Sequence, residues 1–184
     1  MRIARRLFLV PLADNNHGKT TIVKALVAQG TGMTFGTIRK SARSLMSPWG
    51  RPIDAYVFGR SYQETEKKKH RSVDRALKAA DPNWRTRELI IMPSHVTYIQ
   101  NSNQPDDIDQ IIELGRSAGF DLICATVLLA DTTGYVDRTH LSEIWLKTWD
   151  ERWTIPNPHS KDPSGQLEAL GRDLWTWTCR TLAP

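Results

Sequence analysis

Four consecutive residues near the start of the chain, Gly18-Lys19-Thr20-Thr21, have the types and the order needed to bind phosphate. A glycine lets the backbone approach a ligand closely, and the Lys19 ammonium then reaches the β- and γ-phosphates of a nucleotide. The Thr20 hydroxyl suits a Mg²⁺ ion that bridges phosphate oxygens. These residues predict a site for a nucleoside triphosphate, ATP or GTP, together with Mg²⁺.

The elements on either side of these residues fit such a site. The apolar run Leu7–Val10 predicts a buried strand, and after Gly18 the apolar residues keep helical spacing. Backbone N–H groups in a tight loop, backed by the positive end of a helix, converge on an anion without any flexible side chain. The predicted nucleotide-binding residues are Ala13, Asp14, Asn15, Asn16, His17, Gly18, Lys19, Thr20 and Thr21; of these, Asn15 and Asn16 tolerate a left-handed backbone.

The stretch resembles the Walker A loop of P-loop NTPases, whose pattern is G-x-x-x-x-G-K-[ST]. One position departs from the pattern, because Ala13 stands where the first glycine belongs. The wording His17-Gly18-Lys19-Thr20-Thr21 also occurs in translational GTPases. The resemblance implies a P-loop NTPase fold around the predicted strand and helix.

Length and composition favour one domain over residues 1–184. The chain has 184 residues, of which 40% are hydrophobic, which suffices for one core. Its two cysteines, Cys124 and Cys179, form no metal-ligand spacing, so we expect a reducing, cytoplasmic setting. No segment is long enough to cross a membrane, and the short apolar run near the start is interrupted by Pro11, so we expect no targeting signal.

The basic residues are clustered and give the chain a formal charge of +5. Two interpretations stay open: a solvated helix face, or contact with DNA or RNA. The candidates for nucleic-acid contact are Arg39, Lys40, Arg43, Lys67, Lys68, Lys69 and Arg71.

Strands and helices alternate along the rest of the chain. Further strands are predicted at 33–38 or 53–58, 88–92, 120–129 and 152–155, and helices at 61–80, from 104, around 141–149 and at 163–179. This order predicts an α/β three-layer sandwich with a mainly parallel five-stranded sheet. Ligands bind at the carboxyl ends of such strands, where the first loop, Gly59-Arg60, Ser94-His95 and Asp131 would meet.

In layout the chain resembles P-loop kinases of the polynucleotide kinase and zeta-toxin type. The matching pieces are the Gly18-Lys19-Thr20 triplet, a basic acceptor-side insertion around residues 39–86, the strand ending in Ser94-His95, the Gly119-Phe120 pair and the later arginines. Within that class, Tyr56-Val57-Phe58-Gly59-Arg60-Ser61-Tyr62 resembles the layout of phage kinases that phosphorylate 5-hydroxymethylpyrimidines in DNA. The resemblance implies transfer of a γ-phosphoryl group to a hydroxyl of a nucleotide or nucleic acid.

This resemblance also implies catalytic roles. Arg138 or Arg152 would neutralise charge on the transferred group. A carboxylate would accept the proton of the acceptor hydroxyl, with Asp54 as first candidate, then Asp14 and Asp131, and with His95 as a substitute. The predicted metal ligands are Thr20 and Asp131.

Two alternatives stay open beside the kinase. Asp131-Thr132-Thr133-Gly134 matches the DxxG element of GTPases, although it lies more than a hundred residues after Lys19 and no base-reading NKxD element follows. A nucleotide-binding regulatory or switch module would need neither an acceptor nor a catalytic carboxylate. Net hydrolysis without an acceptor would distinguish such a module from a kinase.

Overall fold

The structure, a computed structural model, describes residues 5–96, 104–129, 138–157 and 165–183. The strands are β1 (Leu7–Ala13), β2 (Ser41–Met46), β3 (Pro52–Val57), β4 (Leu89–Ile91), β5 (Ser94–His95), β6 (Asp121–Leu129) and β7 (Glu151–Asn157). The helices are α1 (Lys19–Thr31), α2 (Tyr62–His70), α3 (Val73–Ala80), α4 (Gln104–Ser117), α5 (Arg138–Trp145) and α6 (Gln166–Leu182).

The described strands form one sheet in the order β2-β3-β4-β1-β6-β7, with β5 also beside β1. All neighbouring strands are parallel except β2, which runs antiparallel to β3. The predicted α/β class and the mainly parallel sheet are therefore confirmed. The predicted count of five strands is wrong, because the described residues alone contribute seven strands to the sheet.

Two prolines account for one of the additional strands. β4 and β5 pair with β1 in the same register, Leu9 opposite Ile91 and Leu12 opposite Ser94, which places Pro11 opposite Pro93. Proline has no N–H to donate, so the ladder is interrupted where the two residues face each other. The predicted strand at 88–92 is thus continued by a second short strand that ends at His95.

Both faces of the sheet are covered, as the continuous apolar strands predict. Alternate residues of β1 face opposite sides: Leu7 and Leu9 pack with α1 and α6, whereas Phe8 and Val10 pack with residues of α2, α3 and α4. Every residue of β1 is buried. This central strand is therefore fixed from both sides, and so is the loop that follows it.

Of the two strands that the sequence left open, the one at 53–58 is confirmed as β3, and the one at 33–38 is wrong. Residues 32–40 form no strand, and β2 begins only at Ser41. β2 and β3 form a hairpin whose turn is closed by Ser47, which accepts from Gly50 N at 3.0 Å and donates to Arg51 O at 2.8 Å. Gly50 takes a positive φ of 80° there. The hairpin therefore makes β2 the edge strand of the sheet, in place of a strand at 33–38.

The single helix predicted over 61–80 is divided into α2 and α3. Arg71 has a φ of 64°, which ends α2. Ser72 then caps α3 by accepting a hydrogen bond from Arg75 N. Residues 39–86, expected as an insertion, also supply β2 and β3 to the sheet.

Both cysteines are free and buried, and burial raises the pKa of each thiol to about 12. They are therefore poor nucleophiles. None of the helices in the described part of the chain is long and apolar enough to cross a membrane.

Candidate functional site

The predicted phosphate loop lies at the centre of the sheet. It leaves the carboxyl end of β1, which has β4 on one side and β6 on the other. The chain between β1 and β4 therefore crosses to one side of β1, and the chain between β4 and β6 returns to the other. In parallel sheets such a switch point opens a crevice that binds ligands.

The loop backbone has the conformation that an anion-binding loop needs. Asn16 has a φ of 62° and Gly18 a φ of 98°, so the prediction that an asparagine here adopts the left-handed region is confirmed for Asn16. Gly18 is the residue that precedes α1, and no side chain caps this helix. The first N–H groups of α1 thus have neither an intrahelical acceptor nor a side-chain cap, and they are available to an anion.

The loop is held from behind by β7 and α6. The Asn157 side-chain amide donates to the carbonyl of His17 at 3.2 Å. Leu167 packs so closely on Gly18 that a Cβ at position 18 would lie 2.3 Å from the Leu167 Cδ2 atom. Only glycine satisfies both this contact and the positive φ.

Lys19 is the buried cation of the site, with 5% of its surface exposed. Its ammonium donates to the carbonyls of Ala13 and Asp14, each at 2.7 Å, and contacts His95 Nδ1 at 3.2 Å. These three acceptors match the three N–H bonds of an ammonium group. Burial lowers the pKa of Lys19 to about 8, against smaller opposing effects of Glu64 and Asp14.

His95 links Lys19 to a carboxylate. Its Nε2 lies 3.0 Å from Glu64 Oε1, while Nδ1 faces Lys19. Burial and then the Lys19 charge lower the pKa of His95, and Glu64 partly offsets them. The neutral ring therefore accepts at Nδ1 and donates from Nε2–H to Glu64, which forms a chain of three groups from the loop to α2.

Glu64 is the site residue that the sequence analysis missed. The pattern Ser61-Tyr62-Gln63-Glu64 predicts a capping box, yet the Ser61 side chain makes no cap hydrogen bond and the Glu64 carboxylate is directed to His95. The side chain of Glu64 is 34% exposed, so it is open to a ligand. The available signal was its position, since it follows β3 at the carboxyl edge of a parallel sheet.

Gln63 fixes α2 against β5. Its amide oxygen accepts from His95 N at 3.2 Å, and its amide nitrogen donates to Ser94 Oγ at 2.8 Å. The buried Asp107 of α4 is 3.4 Å from the same nitrogen and forms an ion pair with Lys67 at 2.7 Å. These contacts position Glu64 and His95 relative to the loop.

Asp54, the first candidate for the catalytic base, does not join this site. It lies in β3 next to Ala55, which pairs with Leu89 at the amino end of the sheet, and Leu89 in turn pairs with Leu7. The six residue steps from Leu7 to Ala13 correspond to roughly 20 Å along β1. The Asp54 carboxylate instead accepts from Arg87 at 2.7 Å. Asp54, the first candidate for the base, therefore lies at the opposite edge of the sheet from the loop.

Of the two predicted arginines, Arg152 is not brought to the loop. Arg152 is the second residue of β7, and its guanidinium donates to the carbonyls of Trp145 and Lys147 at 2.6 and 2.8 Å. It therefore holds the end of α5. Arg138 begins α5, but its side chain and all of Asp131 lie outside the described residues.

Of the predicted metal ligands, only Thr20 can be placed. It is the exposed second residue of α1, beside Lys19. In the described ranges no three His, Cys, Asp or Glu residues are grouped to hold a metal ion by themselves.

The basic residues predicted to contact nucleic acid are partly used within the fold. Lys40 pairs with Glu66 at 2.8 Å, Lys67 pairs with Asp107, and Arg43 donates to the carbonyl of Arg39 at 2.7 Å. Exposed basic residues remain at Arg39, Lys68, Lys69 and Arg71. The positive surface is therefore smaller than the sequence count implies.

Comparison with known proteins adds no relative. No protein-family model matches the chain, and no curated protein matches it significantly.

Proposed function

We propose that the protein is an ATP-dependent kinase that transfers the γ-phosphoryl group of a nucleoside triphosphate to a hydroxyl group of a nucleotide or nucleic acid. The observation that carries this proposal is the chain of contacts from the loop carbonyls through Lys19 and His95 to Glu64. Lys19 and Glu64 lie at one edge of the sheet, where the first would bind phosphate and the second would accept a hydroxyl proton. Phosphoryl transfer requires both groups in fixed positions.

The donor phosphates would bind the loop between Asp14 and Thr20. The left-handed residues Asn16 and Gly18 shape the loop, and the uncapped N–H groups of α1 would donate to phosphate oxygens. Lys19 would exchange at least one of its present acceptors for a phosphate oxygen. A phosphate group then replaces a neutral carbonyl or ring nitrogen, and the resulting hydrogen bond is charge-assisted.

Glu64 is the general base in this proposal. The acceptor oxygen attacks the γ-phosphorus, the bond from that phosphorus to the β,γ-bridging oxygen breaks, and the nucleoside diphosphate leaves. The proton of the acceptor hydroxyl passes to the Glu64 carboxylate, whose partial exposure leaves it accessible. His95 orients Glu64 by donating from Nε2.

Mg²⁺ would be held by Thr20 and by the nucleotide itself, where the ion would neutralise phosphate charge. The resemblance to phage hydroxymethylpyrimidine kinases makes DNA modification one form of this activity. Exposed Arg39, Lys68, Lys69 and Arg71 would then contact the DNA backbone.

A nucleotide-dependent switch module is the second candidate. Arg152, an arginine that the kinase resemblance assigns to the transferred group, is bonded to the end of α5 instead. A module that only binds or slowly hydrolyses nucleotide would not need an arginine at the γ-phosphate.

The test is a transfer assay with γ-labelled ATP or GTP and Mg²⁺. The acceptors are nucleosides, nucleoside monophosphates, and DNA with and without 5-hydroxymethylpyrimidines. We expect label on at least one acceptor, and none with Lys19→Met. Free phosphate released at the same rate with and without acceptors would support the switch module, and a chain that binds no triphosphate would contradict both functions.

A further inference from the structure

The contact with His95 is the longest of the three that hold the Lys19 ammonium. Lys19 Nζ lies 2.7 Å from each of the carbonyl oxygens of Ala13 and Asp14, but 3.2 Å from His95 Nδ1. A longer hydrogen bond is a weaker one. A phosphate that accepts a hydrogen bond from Lys19 therefore displaces the His95 contact at the smallest cost.

The His95 ring is buried between two charged groups, with 2% of its side chain exposed. Nδ1 faces the Lys19 ammonium, and Nε2 lies 3.0 Å from Glu64 Oε1. Burial has the largest effect in lowering the pKa of His95, and the Lys19 charge has the next largest. The protonation of the ring therefore depends on where one neighbouring cation lies.

The charged groups that act on the ring come from three places in the described chain. They are Lys19 from α1, Glu64 from α2 and Asp14 from the loop. Gln63, also on α2, presents a neutral amide oxygen to the His95 backbone. The carboxylate of Asp107 on α4 lies against the Gln63 amide and is paired with Lys67. Of the three groups that act on the ring, Lys19 alone is a cation.

A phosphate oxygen that accepts from Lys19 changes the surroundings of Nδ1 in two ways. It draws the ammonium away from the ring, and it places an anion roughly 6 Å from Nδ1, the sum of two hydrogen-bond lengths. An opposite charge at about this distance favours the charged form of a titrating group. Nδ1 also loses its donor, and a buried acceptor without a donor is costly. Both changes favour a proton on Nδ1.

We propose that binding of a triphosphate at the loop makes His95 take up a proton, so that the ring becomes an imidazolium that donates to Glu64. The proton comes from solvent and binds Nδ1, and no covalent bond of the nucleotide is made or broken. This inference rests on the triphosphate site of the proposed function, but not on phosphoryl transfer.

The consequence concerns how firmly Glu64 is held. In the free protein a neutral ring donates from Nε2–H to the carboxylate. After proton uptake the same hydrogen bond has an ion at each end, and charge-assisted bonds are the stronger kind. His95 is thus a positioning residue that makes the placement of Glu64 depend on an occupied loop. By linkage, triphosphate binding strengthens as the pH falls through the range in which His95 titrates.

Nuclear magnetic resonance of the imidazole nitrogens follows the titration of His95 in the unaltered protein. Spectra are recorded between about pH 5 and pH 8, with and without a non-hydrolysable ATP analogue. The His95 signals are identified as those missing from His95→Asn. We expect the midpoint of this titration to rise by about one pH unit or more when the analogue binds. A midpoint that stays or falls with the analogue bound would overturn the proposal.

Lys19→Met tests the effect of the cation without any nucleotide. Methionine is similar in length to lysine and carries no charge, so His95 no longer faces an ammonium. We expect the His95 midpoint in the free variant to be higher than in the free wild type. Lys24→Met is the matched control on the same helix, since Lys24 lies over the Phe35 ring, and it should leave the midpoint unchanged. Equal midpoints in Lys19→Met and the wild type would contradict the inference.

Calorimetry in two buffers of different protonation enthalpy counts the protons taken up at pH 6.5. The terminal phosphate of the nucleotide also titrates near this pH. The count is therefore compared with that of His95→Asn, whose amide oxygen can still accept from Lys19 in place of Nδ1. We expect about half a proton more for the wild type, because a histidine at its ordinary value of 6.5 is half protonated there.

His70→Asn is the control for this count. His70 is also on α2, but its Nε2 faces Glu66 at 3.6 Å and not the loop. We expect the proton count of His70→Asn to match that of the wild type. Equal counts in His95→Asn and the wild type would overturn the proposal.

Failure of this inference and failure of the proposed function give different results. Triphosphate binding without a change in the His95 titration overturns the inference and leaves the phosphate site in place. A raised His95 midpoint without label on any acceptor supports the inference and contradicts the kinase function. A protein that binds no triphosphate overturns both.

Discussion

Lys19 and His95 are 76 positions apart in the sequence, and the Nζ atom of one lies 3.2 Å from the Nδ1 atom of the other. The contact joins the loop after β1 to the end of β5, the strand beside it. Through its Nε2 atom, His95 in turn contacts the carboxylate of Glu64 on α2. A phosphate ligand that draws Lys19 toward itself therefore acts directly on the histidine that orients the proposed base.

Replacing Lys19 by methionine should reduce triphosphate affinity at least about 100-fold, since charge-assisted hydrogen bonds to phosphate are lost. Calorimetric titration with a non-hydrolysable ATP analogue measures this effect. Lys24→Ala is the control, because Lys24 is on the same helix but contacts the Phe35 ring at 5.8 Å. Unchanged affinity in a folded Lys19→Met protein would refute the phosphate site.

Triphosphate affinity should fall as the pH rises from 7.5 to 9. The pKa of Lys19 is about 8, so its ammonium carries the proton below that value and loses it above. At pH 9 about one tenth of the groups remain charged, and affinity should be lower by up to about tenfold. Lys19→Met should show no such dependence, and the same pH profile in that variant would assign it to another group.

Burial of Lys19 also makes the free energy of unfolding depend on pH. The unfolded chain holds the Lys19 proton up to its ordinary value of 10.5, whereas the folded protein releases it near 8. Unfolded molecules therefore bind more protons between these values, and the contribution of Lys19 to the free energy of unfolding rises with pH there. Urea titrations at pH 8 and 10 compare the wild type with Lys19→Met.

Gly18→Ala should destabilise the fold and remove triphosphate binding. The left-handed φ of 98° costs an alanine about 1–2 kcal/mol, and the clash with Leu167 adds about 1–3 kcal/mol. Gly32→Ala isolates the first cost, because Gly32 has a φ of 67° and open space around its Cβ position. Chemical denaturation should show a larger decrease in the free energy of unfolding for Gly18→Ala than for Gly32→Ala. Equal decreases would mean that the Leu167 side chain moves away from a Cβ at position 18 without cost.

Glu64→Gln should lower the rate of phosphoryl transfer by about 10²–10⁴-fold, since an amide cannot accept the acceptor proton. Triphosphate affinity should change little, because Lys19 and the loop remain. Glu113→Gln is the control, an exposed acidic residue on α4. A transfer rate close to wild type in Glu64→Gln would exclude this residue as the base.

Asp54→Asn should leave transfer unchanged and lower stability by about 1 kcal/mol or less. Its pair with Arg87 is at the surface, with 49% of the Asp54 side chain exposed, and Arg87 keeps its second partner Asp81 at 2.7 Å. Transfer assays and thermal unfolding measure the two effects. A large loss of transfer would return Asp54 to the role that the sequence suggested.

Local pattern was sufficient for the elements with strong periodicity. The strand at Leu7–Val10, the helix after Gly18 and the strand at 120–129 were predicted because apolar runs and glycine positions act over a few residues. The conformation of Asn16 was predictable for the same reason. β3 was predicted as one of two open alternatives, but β2 was missed, because the alternation at 33–38 drew the prediction away from Ser41–Met46.

The candidate site was predictable only where its residues are adjacent in sequence. The loop and Lys19 form one motif, whereas the partnership of Lys19, His95 and Glu64 depends on where α2 packs over β5. Asp54 and Glu64 are both acids near β3. Asp54 lies near the start of the strand and Glu64 follows its end, so the two carboxylates lie at opposite edges of the sheet. The sequence shows that order. Which of the two acids lies beside the loop is known only once β3 is seen to run parallel to β1 through β4.

The facing pair Pro11 and Pro93 has a mechanical consequence. Past this gap only Leu12 and Ala13 remain to pair with β5, so the ladder there is two rungs long. The short segment bearing His95 is therefore anchored as much by the Gln63 amide as by the sheet. A displacement of α2 would therefore carry His95 with it and weaken the third hydrogen bond of the Lys19 ammonium.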